Sequence, residues 1–549
     1  MVNQEPRVPD LLHPVPVRRI DLERTKLAIN LAFAGGGSGG LFSEELGRAT
    51  LASSTWEPGG FANDLFLQRF VGDCFQIRIG GRDATLNTAH LVRLLSQPPA
   101  DPAVVTFRRG ILEELTHSAA LRRELEHLYV GVCRVRALFE NASGGRNWDP
   151  VRRQLDILIG LREVFDRMAS GFAGARSGLS RLAEFGRDVQ GSEPYRALAD
   201  LLHYDANLAT LSVNLAVGAD GRIRGFEIAG VRENSDNPFV SPVWKRWLGK
   251  FELFVRGFRF GDAEVMARLV DAVFSGIDAE VTVLVQLVGD LEFYLGSLGF
   301  RDRASAAGLE VCLPDLVSPD EPRRLLGLFN PLLLMSGVKP VPCDLFSERF
   351  ATTVLVTGPN SGGKTRLLQS LGLAQVLAQA GSFVPARSGS IALTAGLVVS
   401  LIEEVRADQG EGRLGMELMR IRSLFERLPP GAMVLLDELC SGTNPSEGEE
   451  IFELVVAMLT RLRPQAFITT HFLAFAARLE REKKLRDLGF LQVELGPDRK
   501  PTYQFTPGVA RTSLAGHAAE RLGVTGDQLL ALIERNVQRW QAAPNDART

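Results

Sequence analysis

The sequence is poor in the features that mark several large protein classes. It has five cysteines in 549 residues: Cys74, Cys133, Cys312, Cys343 and Cys440. Their number is odd, their spacing is wide and no CxxC pair occurs, which argues against a disulfide framework or a thiolate zinc site. There are only eight lysines, so nearly all the positive charge is arginine. Neither sign of charge dominates: 62 basic and 65 acidic residues leave a net charge of −3. A strongly basic chain would advertise nucleic acid through its bulk field, so any DNA contact here must come from a local patch. No apolar run reaches the roughly 18 residues of a membrane span. The best, residues 281–288, is followed by Asp290 and Glu292. The N-terminus carries Glu5, Asp10 and several prolines, unlike a signal peptide. The expectation is a cytosolic, reduced protein without a membrane segment.

What remains is an ordinary globular composition, 45% hydrophobic and 23% charged. The length suits about three or four domains. Residues 1–63 read as a weakly patterned extension containing a glycine cluster at 35–40. Its formal GxGxxG (Gly35, Gly37, Gly40) lacks a strand before it and reads as a flexible loop. Residues 64–315 read as a mainly helical domain. Apolar residues recur at three-and-four spacing in 107–140, for one or two helices, and further sets run over 151–185 and 262–298. Such long helices suit levers or a bundle. One β-hairpin interrupts them at 211–231, around Ala219-Asp220-Gly221. Six prolines between Pro314 and Pro342 place a boundary near 315–325. Beyond it, short apolar strands at 352–357, 432–436 and 466–470 alternate with helices, the order of an α/β domain with a parallel sheet, over 316–512. Residues 513–542 read as two short helices.

The chemistry concentrates in that α/β part. Residues 358–365 read GPNSGGKT, which satisfies GxxxxGK[ST] between a strand and a helix. Gly358, Gly362 and Gly363 allow the tight turn that aims backbone N–H groups at phosphate oxygens, with Pro359, Asn360 and Ser361 completing the loop. The helix that follows adds its positive end. Lys364 would place an ammonium on the β- and γ-phosphates, and Thr365 offers a hydroxyl to Mg²⁺. Residues 433–439, MVLLDEL, end an apolar strand in Asp437 and Glu438. This is the Walker B arrangement, with Asp437 on the metal and Glu438 polarising the attacking water. Asn444-Pro445 would cap and start a helix. In FITTHF, residues 467–472, a strand delivers His471 beside the place of a γ-phosphate. The other six histidines have no such context.

Together TGPNSGGKT, VLLDELCSGTNPSEG and ITTH resemble the ATPase domain of the MutS family of DNA mismatch-repair proteins. GSFVPA (381–386) and PTYQFTPGVARTSLAGHAAERLGV (501–524) look like further segments of the same domain, nearest the second bacterial MutS branch. The resemblance implies an ABC-type P-loop fold, with 64–315 as core and levers and 513–549 as a helical dimerisation segment. It implies ATP and Mg²⁺ as cofactors, a homodimer with two composite sites, and DNA as partner. It also matches Asn360, Lys364, Thr365, Asp437, Glu438 and His471 to family nucleotide-site positions. There are departures. About 60 residues precede the helical core, too few for a mismatch-reading domain, and Phe42-Ser43-Glu44 has the letters of its wedge only by chance. The branch's nuclease domain is expected to be missing. The trans-signature hydroxyls are replaced in EGRLGMEL (411–418) by Gly412 and Arg413. The family's Arg-His-Pro reads Phe329-Asn330-Pro331, with Phe329 a candidate to stack on adenine.

The expected function is ATP-switched DNA binding, on mismatched, branched or duplex DNA. The alternative is an ATP-binding scaffold with weak hydrolysis and a non-DNA partner such as the ribosome. Against DNA, residues 101–200 hold 15 basic and 14 acidic side chains, with no basic stripe. The doublets Arg108-Arg109, Arg122-Arg123 and Arg152-Arg153 are the candidates to line a channel. A transporter-type cassette is disfavoured because the sequence lacks both a membrane segment and an LSGGQ-like signature.

Overall fold

The computed structural model describes residues 8–36, 39–57, 59–84, 86–140, 150–208, 211–217, 223–231, 262–334, 336–401, 413–440, 444–511 and 522–542. The chain forms two compact units, each built from separated stretches. The first comprises Met1–Ala52, Phe75–Leu94 and Ala103–Gly299. The second comprises Ser53–Cys74, Leu95–Pro102 and Phe300–Thr549.

The first unit is helical. The periodic stretch 107–140 forms two helices, Pro102–His117 and Ala119–Glu140. Ser118 separates them, and its hydroxyl accepts the N–H of Leu121 at 3.3 Å as a cap. Helices Pro150–Gly171, Ser180–Gly191 and Glu193–Leu208 follow, then the antiparallel hairpin Leu211–Val217 with Ile223–Val231. The hairpin's Ala219-Asp220-Gly221 turn lies outside the described residues.

The stretch before residue 64 is not an extension. It carries helices Leu22–Leu31 and Leu41–Arg48, and Leu11, Leu12, Ile29, Phe42 and Leu46 are buried. Phe42 is a core residue, which removes it as a wedge. The reason is a polar stripe on the long helix Asp262–Ala306 that sequence periodicity did not reveal. Gln286 accepts the N–H of Arg19 at 2.8 Å and donates to the carbonyl of Val17 at 3.0 Å. Asp290 accepts the N–H of Leu11 at 3.0 Å and pairs with the Arg19 guanidinium. The glycine cluster joins the two short helices, with Gly35 and Gly40 in left-handed backbone.

The long helix bears on the membrane expectation. By length and composition Val270–Ala306 is apolar enough to cross a bilayer, yet 67% of its most apolar window is buried inside the protein. It is a core helix, hydrophobic on most sides because it is covered on most sides. All five cysteines are free.

The second unit centres on a six-stranded sheet. Its strands, in chain order, are β1 (Thr353–Thr357), β2 (Leu397–Ser400), β3 (Met433–Leu436), β4 (Gln465–Thr469), β5 (Leu488–Leu495) and β6 (Pro501–Pro507). The spatial order is β2-β3-β4-β1-β5-β6, parallel except for the β5–β6 hairpin. β1, β3 and β4 lie within a residue of the expected strands, and all their residues are buried, as parallel strands covered on both faces should be. Val434, Leu436 and Ile468 face a cluster from helices α2 (Arg413–Arg427), α3 (Pro445–Leu462) and α4 (Leu473–Glu482). Leu435 points to the other face, where helix α1 (Lys364–Ala380) runs. Every residue of α1 from Leu367 onward is buried. Part of its cover comes from Ser53–Cys74. A Cβ at Gly372 would stand 2.6 Å from Leu65, and Trp56 donates its indole N–H to the carbonyl of Thr394 at 3.0 Å. A four-stranded sheet (Asp315–Leu316, Arg323–Leu328, Cys343–Ser347, Ser388–Ile391) completes the unit. At the C-terminal end one helix, Gly526–Ala542, is described.

Candidate functional site

The site lies at the carboxyl end of the parallel strands, where open α/β sheets place ligands. β1 delivers the chain into the loop 358–363 and α1 leaves it. The turn is glycine-dependent for two reasons. Gly358 has φ 137° and Gly363 φ 84°, both in the left-handed range that side chains avoid. Space is also closed: a Cβ at Gly358 or Gly362 would come within 2.7 Å of the Val493 side chain. Asn360 and Ser361 are exposed at the tip, and Pro359 is buried. The loop folds on itself, the N–H of Gly362 donating to the carbonyl of Pro359 at 2.9 Å.

Lys364 is the first residue of α1 and is almost wholly buried. Its ammonium is held by the loop's own oxygens, donating to Gly358 O at 3.0 Å, Pro359 O at 3.1 Å and Asn360 Oδ1 at 3.4 Å. Burial lowers its pKa, while Glu438 and Asp437 pull it back up. A buried cation satisfied only by neutral carbonyls gains from an anion beside it. Thr365, one residue on, donates its hydroxyl to Asp437 Oδ2 at 2.5 Å. The other Asp437 oxygen accepts from Thr469 at the end of β4, and the same Thr469 hydroxyl accepts the N–H of Glu438 at 2.8 Å. Glu438 has φ 47° and Cys440 φ 61°, two left-handed non-glycine residues just past β3.

Among the expected residues, hydrogen bonds therefore join Lys364 to the loop and Thr365 to Asp437, and Asp437 and Glu438 meet on Thr469. His471 stands two residues beyond β4 at the same sheet edge. It is exposed, with its ring centre 4.3 Å from that of Phe472. Asn444 caps α3 as expected, its side chain accepting from Ser446 N, and Pro445 takes the first position.

Other expectations fail. Phe329 is 1% exposed, a core side chain with no free face for a base. Its neighbour Asn330 ties the segment to α1, donating to Arg366 O at 3.2 Å and Gln369 Oε1 at 3.1 Å. Of the arginine doublets, Arg108 and Arg153 are buried. Arg108 donates to Leu12 O at 3.0 Å, and Arg153 to the carbonyls of Ala32, Phe33, Leu138 and Phe139. Both bind backbone and are spent on the fold. Glu411 and Gly412 of the altered trans-signature lie outside the described residues.

Two residues near the loop were missed. Thr469 gives no sequence signal, since threonine at a strand end is common. Tyr503 on β6 has φ 63°, is 46% exposed, and puts its ring edge 3.2 Å from where a Cβ on Gly363 would be. Only the PTYQF wording marked its neighbourhood.

Residues 354–535, which contain nearly all of this site, match the family model of MutS domain V. This part of the chain is similar to MutS domain V. The Endonuclease MutS2 of Streptococcus mutans is 31% identical over 242 residues, 44% of this chain and 29% of the relative. That of Thermomicrobium roseum is 30% identical over 234 residues, 40% of this chain and 29% of the relative. That of Streptococcus sanguinis is 29% identical over 269 residues, 49% and 33% respectively. The chain thus covers about a third or less of the length of these MutS2 relatives.

Proposed function

We propose that this chain is a MutS-type, Mg²⁺-dependent ATPase with an ABC-type P-loop site, whose nucleotide cycle switches its grip on DNA. The observation that carries the reading is the 2.5 Å contact between Thr365 and Asp437 beside a buried, carbonyl-held Lys364. The residues fit the cofactor. A hydroxyl and one carboxylate are the hard oxygen donors that Mg²⁺ takes when phosphates supply the rest. Mg²⁺ bound there would neutralise phosphate charge and orient the γ-phosphate.

The chain's own residues do the remaining work. The loop N–H groups and the start of α1 bind phosphate oxygens. Lys364 exchanges loop carbonyls for β- and γ-oxygens. Thr365 and Asp437 would hold the metal. Glu438 accepts hydrogen from the attacking water, and His471 at the strand edge orients the γ-phosphate region. Tyr503, half exposed with its ring edge beside Gly363, stands within reach of a nucleotide on the loop. The DNA half of the reading leans on the MutS relatives and on the helical first unit. Homodimerisation leans on the family and on helix Gly526–Ala542, where Leu529, Leu530, Leu532, Ile533 and Val537 are 41–58% exposed.

The test is steady-state ATP hydrolysis by the full chain, alone and with homoduplex, mismatched or four-way-junction DNA, with Lys364→Ala as control. Stimulation by one DNA form, absent from the control, supports the reading. Hydrolysis indifferent to every DNA would redirect it to a non-DNA partner such as the ribosome. Glu438→Gln is expected to bind ATP normally and slow turnover by about 10²-fold or more. Unchanged turnover would remove Glu438 from its role.

A further inference from the structure

We propose that Thr469 is a positioning residue of this site, setting both acidic residues at the end of β3 through one hydroxyl; the proposal rests on the ATPase reading above. Asp437 and Glu438 are adjacent in sequence but have different tasks. Asp437 must present one oxygen toward Thr365 and the metal. Glu438 must turn toward the attacking water. A strand that simply continued would send the two side chains to opposite faces.

Thr469 resolves this from the neighbouring strand. It is the last residue of β4 and wholly buried. Parallel pairing of Leu436 with Ile468 brings it level with the end of β3. Its O–H donates to Asp437 Oδ1, leaving Oδ2 aimed at Thr365 Oγ1, 2.5 Å away. A lone pair of the same oxygen accepts the Glu438 N–H at 2.8 Å. That N–H belongs to a residue at φ 47°, a left-handed conformation that a glutamate leaves unless something holds it. A hydroxyl can donate to a carboxylate and accept from an amide through the same oxygen. Threonine's branched Cβ also restricts χ1, so the oxygen is set before any ligand arrives. Thr469 touches neither water nor phosphate in this role. It acts through Asp437 on the metal and through Glu438 on the water.

Thr469→Val keeps the shape and removes the hydroxyl, and Thr469→Ser keeps the hydroxyl. Three quantities are read on the full chain. They are the unliganded thermal midpoint, the affinity for ADP by calorimetry with and without Mg²⁺, and kcat and KM for ATP. For Thr469→Val the proposal expects Mg²⁺-free ADP affinity to stay near wild type. The gain in affinity that Mg²⁺ brings should fall about tenfold, as should kcat, because outer residues that orient a metal ligand typically contribute 10–100-fold. KM should move less than kcat. Thr469→Ser should recover most of both losses. Two results would overturn the proposal. One is a valine variant with wild-type Mg²⁺ dependence and kcat. The other is a valine variant that loses thermal midpoint and Mg²⁺-free affinity together, with no rescue by serine, which is a merely structural role. A wild-type chain that binds no nucleotide would sink the ATPase reading itself, and this proposal with it.

Discussion

At the scale of the residue, the chain concentrates its costs in a few buried charges. Glu292 on the long helix accepts the N–H of Asn87 at 2.9 Å and the Tyr129 hydroxyl at 3.1 Å, with Arg136 3.7 Å away. Burial nonetheless pushes its pKa from 4.5 up to about 7. A carboxyl whose folded pKa is raised contributes stability below its unfolded value, and loses it as pH climbs through the folded one. Between pH 5 and pH 8 the wild type should therefore lose stability at this residue, up to about 3 kcal/mol for a shift from 4.5 to about 7. Glu292→Gln cannot titrate. Its thermal midpoint relative to wild type is expected to rise from pH 5 to about pH 7 and to level off above that. A difference that stays flat with pH would show that Glu292 carries no such penalty.

Legibility at this scale follows chemistry. Lys364, Thr365, Asp437 and Glu438 are readable because each residue type sits in a spacing that only phosphate and metal chemistry uses. Thr469 and Tyr503 are not, because their roles come from a neighbouring strand and from left-handed backbone at a non-glycine. Phe329 misleads for the opposite reason. An aromatic residue ahead of a phosphate loop looks like a base platform, yet the pull of the core on a large apolar side chain is stronger.

At the scale of the element, helix ends matter more than helix faces. Arg153 illustrates this, donating to Ala32 O at 2.9 Å, Phe33 O at 3.2 Å, Leu138 O at 3.0 Å and Phe139 O at 3.3 Å. Two helical segments therefore end on one guanidinium, whose planar fork suits several carbonyls at once. Arg153→Ala would leave these buried acceptors unpaired, and about 2–4 kcal/mol of unfolding free energy should be lost. Denaturant unfolding checks this, with Arg153→Lys expected to recover less than half. A loss below about 0.5 kcal/mol would mean that water replaces the arginine without difficulty. In sequence, Arg153 belonged to a doublet that looked like a solvated or DNA-facing pair. Periodicity finds which residues share a helix face. It does not show which helix end a long side chain reaches.

At the scale of the whole molecule, the parallel sheet was readable because its strands are short apolar runs that alternate with helices. The first 63 residues were not, because partners of theirs lie from 96 to 338 residues away: Leu12 with Arg108, Leu11 with Asp290, Trp56 with Thr394. The C-terminal helix carries the prediction that belongs here. Leu530 is 56% and Ile533 58% exposed, three residues apart on one face. If the chain is a homodimer through that helix, Leu530→Glu with Ile533→Glu should convert it to a monomer by light scattering at micromolar concentration. A wild-type chain that is already monomeric, with or without nucleotide, would end that reading.

The interleaving of the two units has a consequence for ancestry. The chain passes between them five times, at residues 52/53, 74/75, 94/95, 102/103 and 299/300. A single genetic crossover anywhere in the gene would hand one unit over incomplete. Cutting near residue 315, where the proline-rich wording changes, would strand Trp56 from Thr394 and Leu65 from the helix at Gly372. The two units are thus bound to be inherited together, and substitutions in 53–74 should drift in step with those around Gly372 and Thr394.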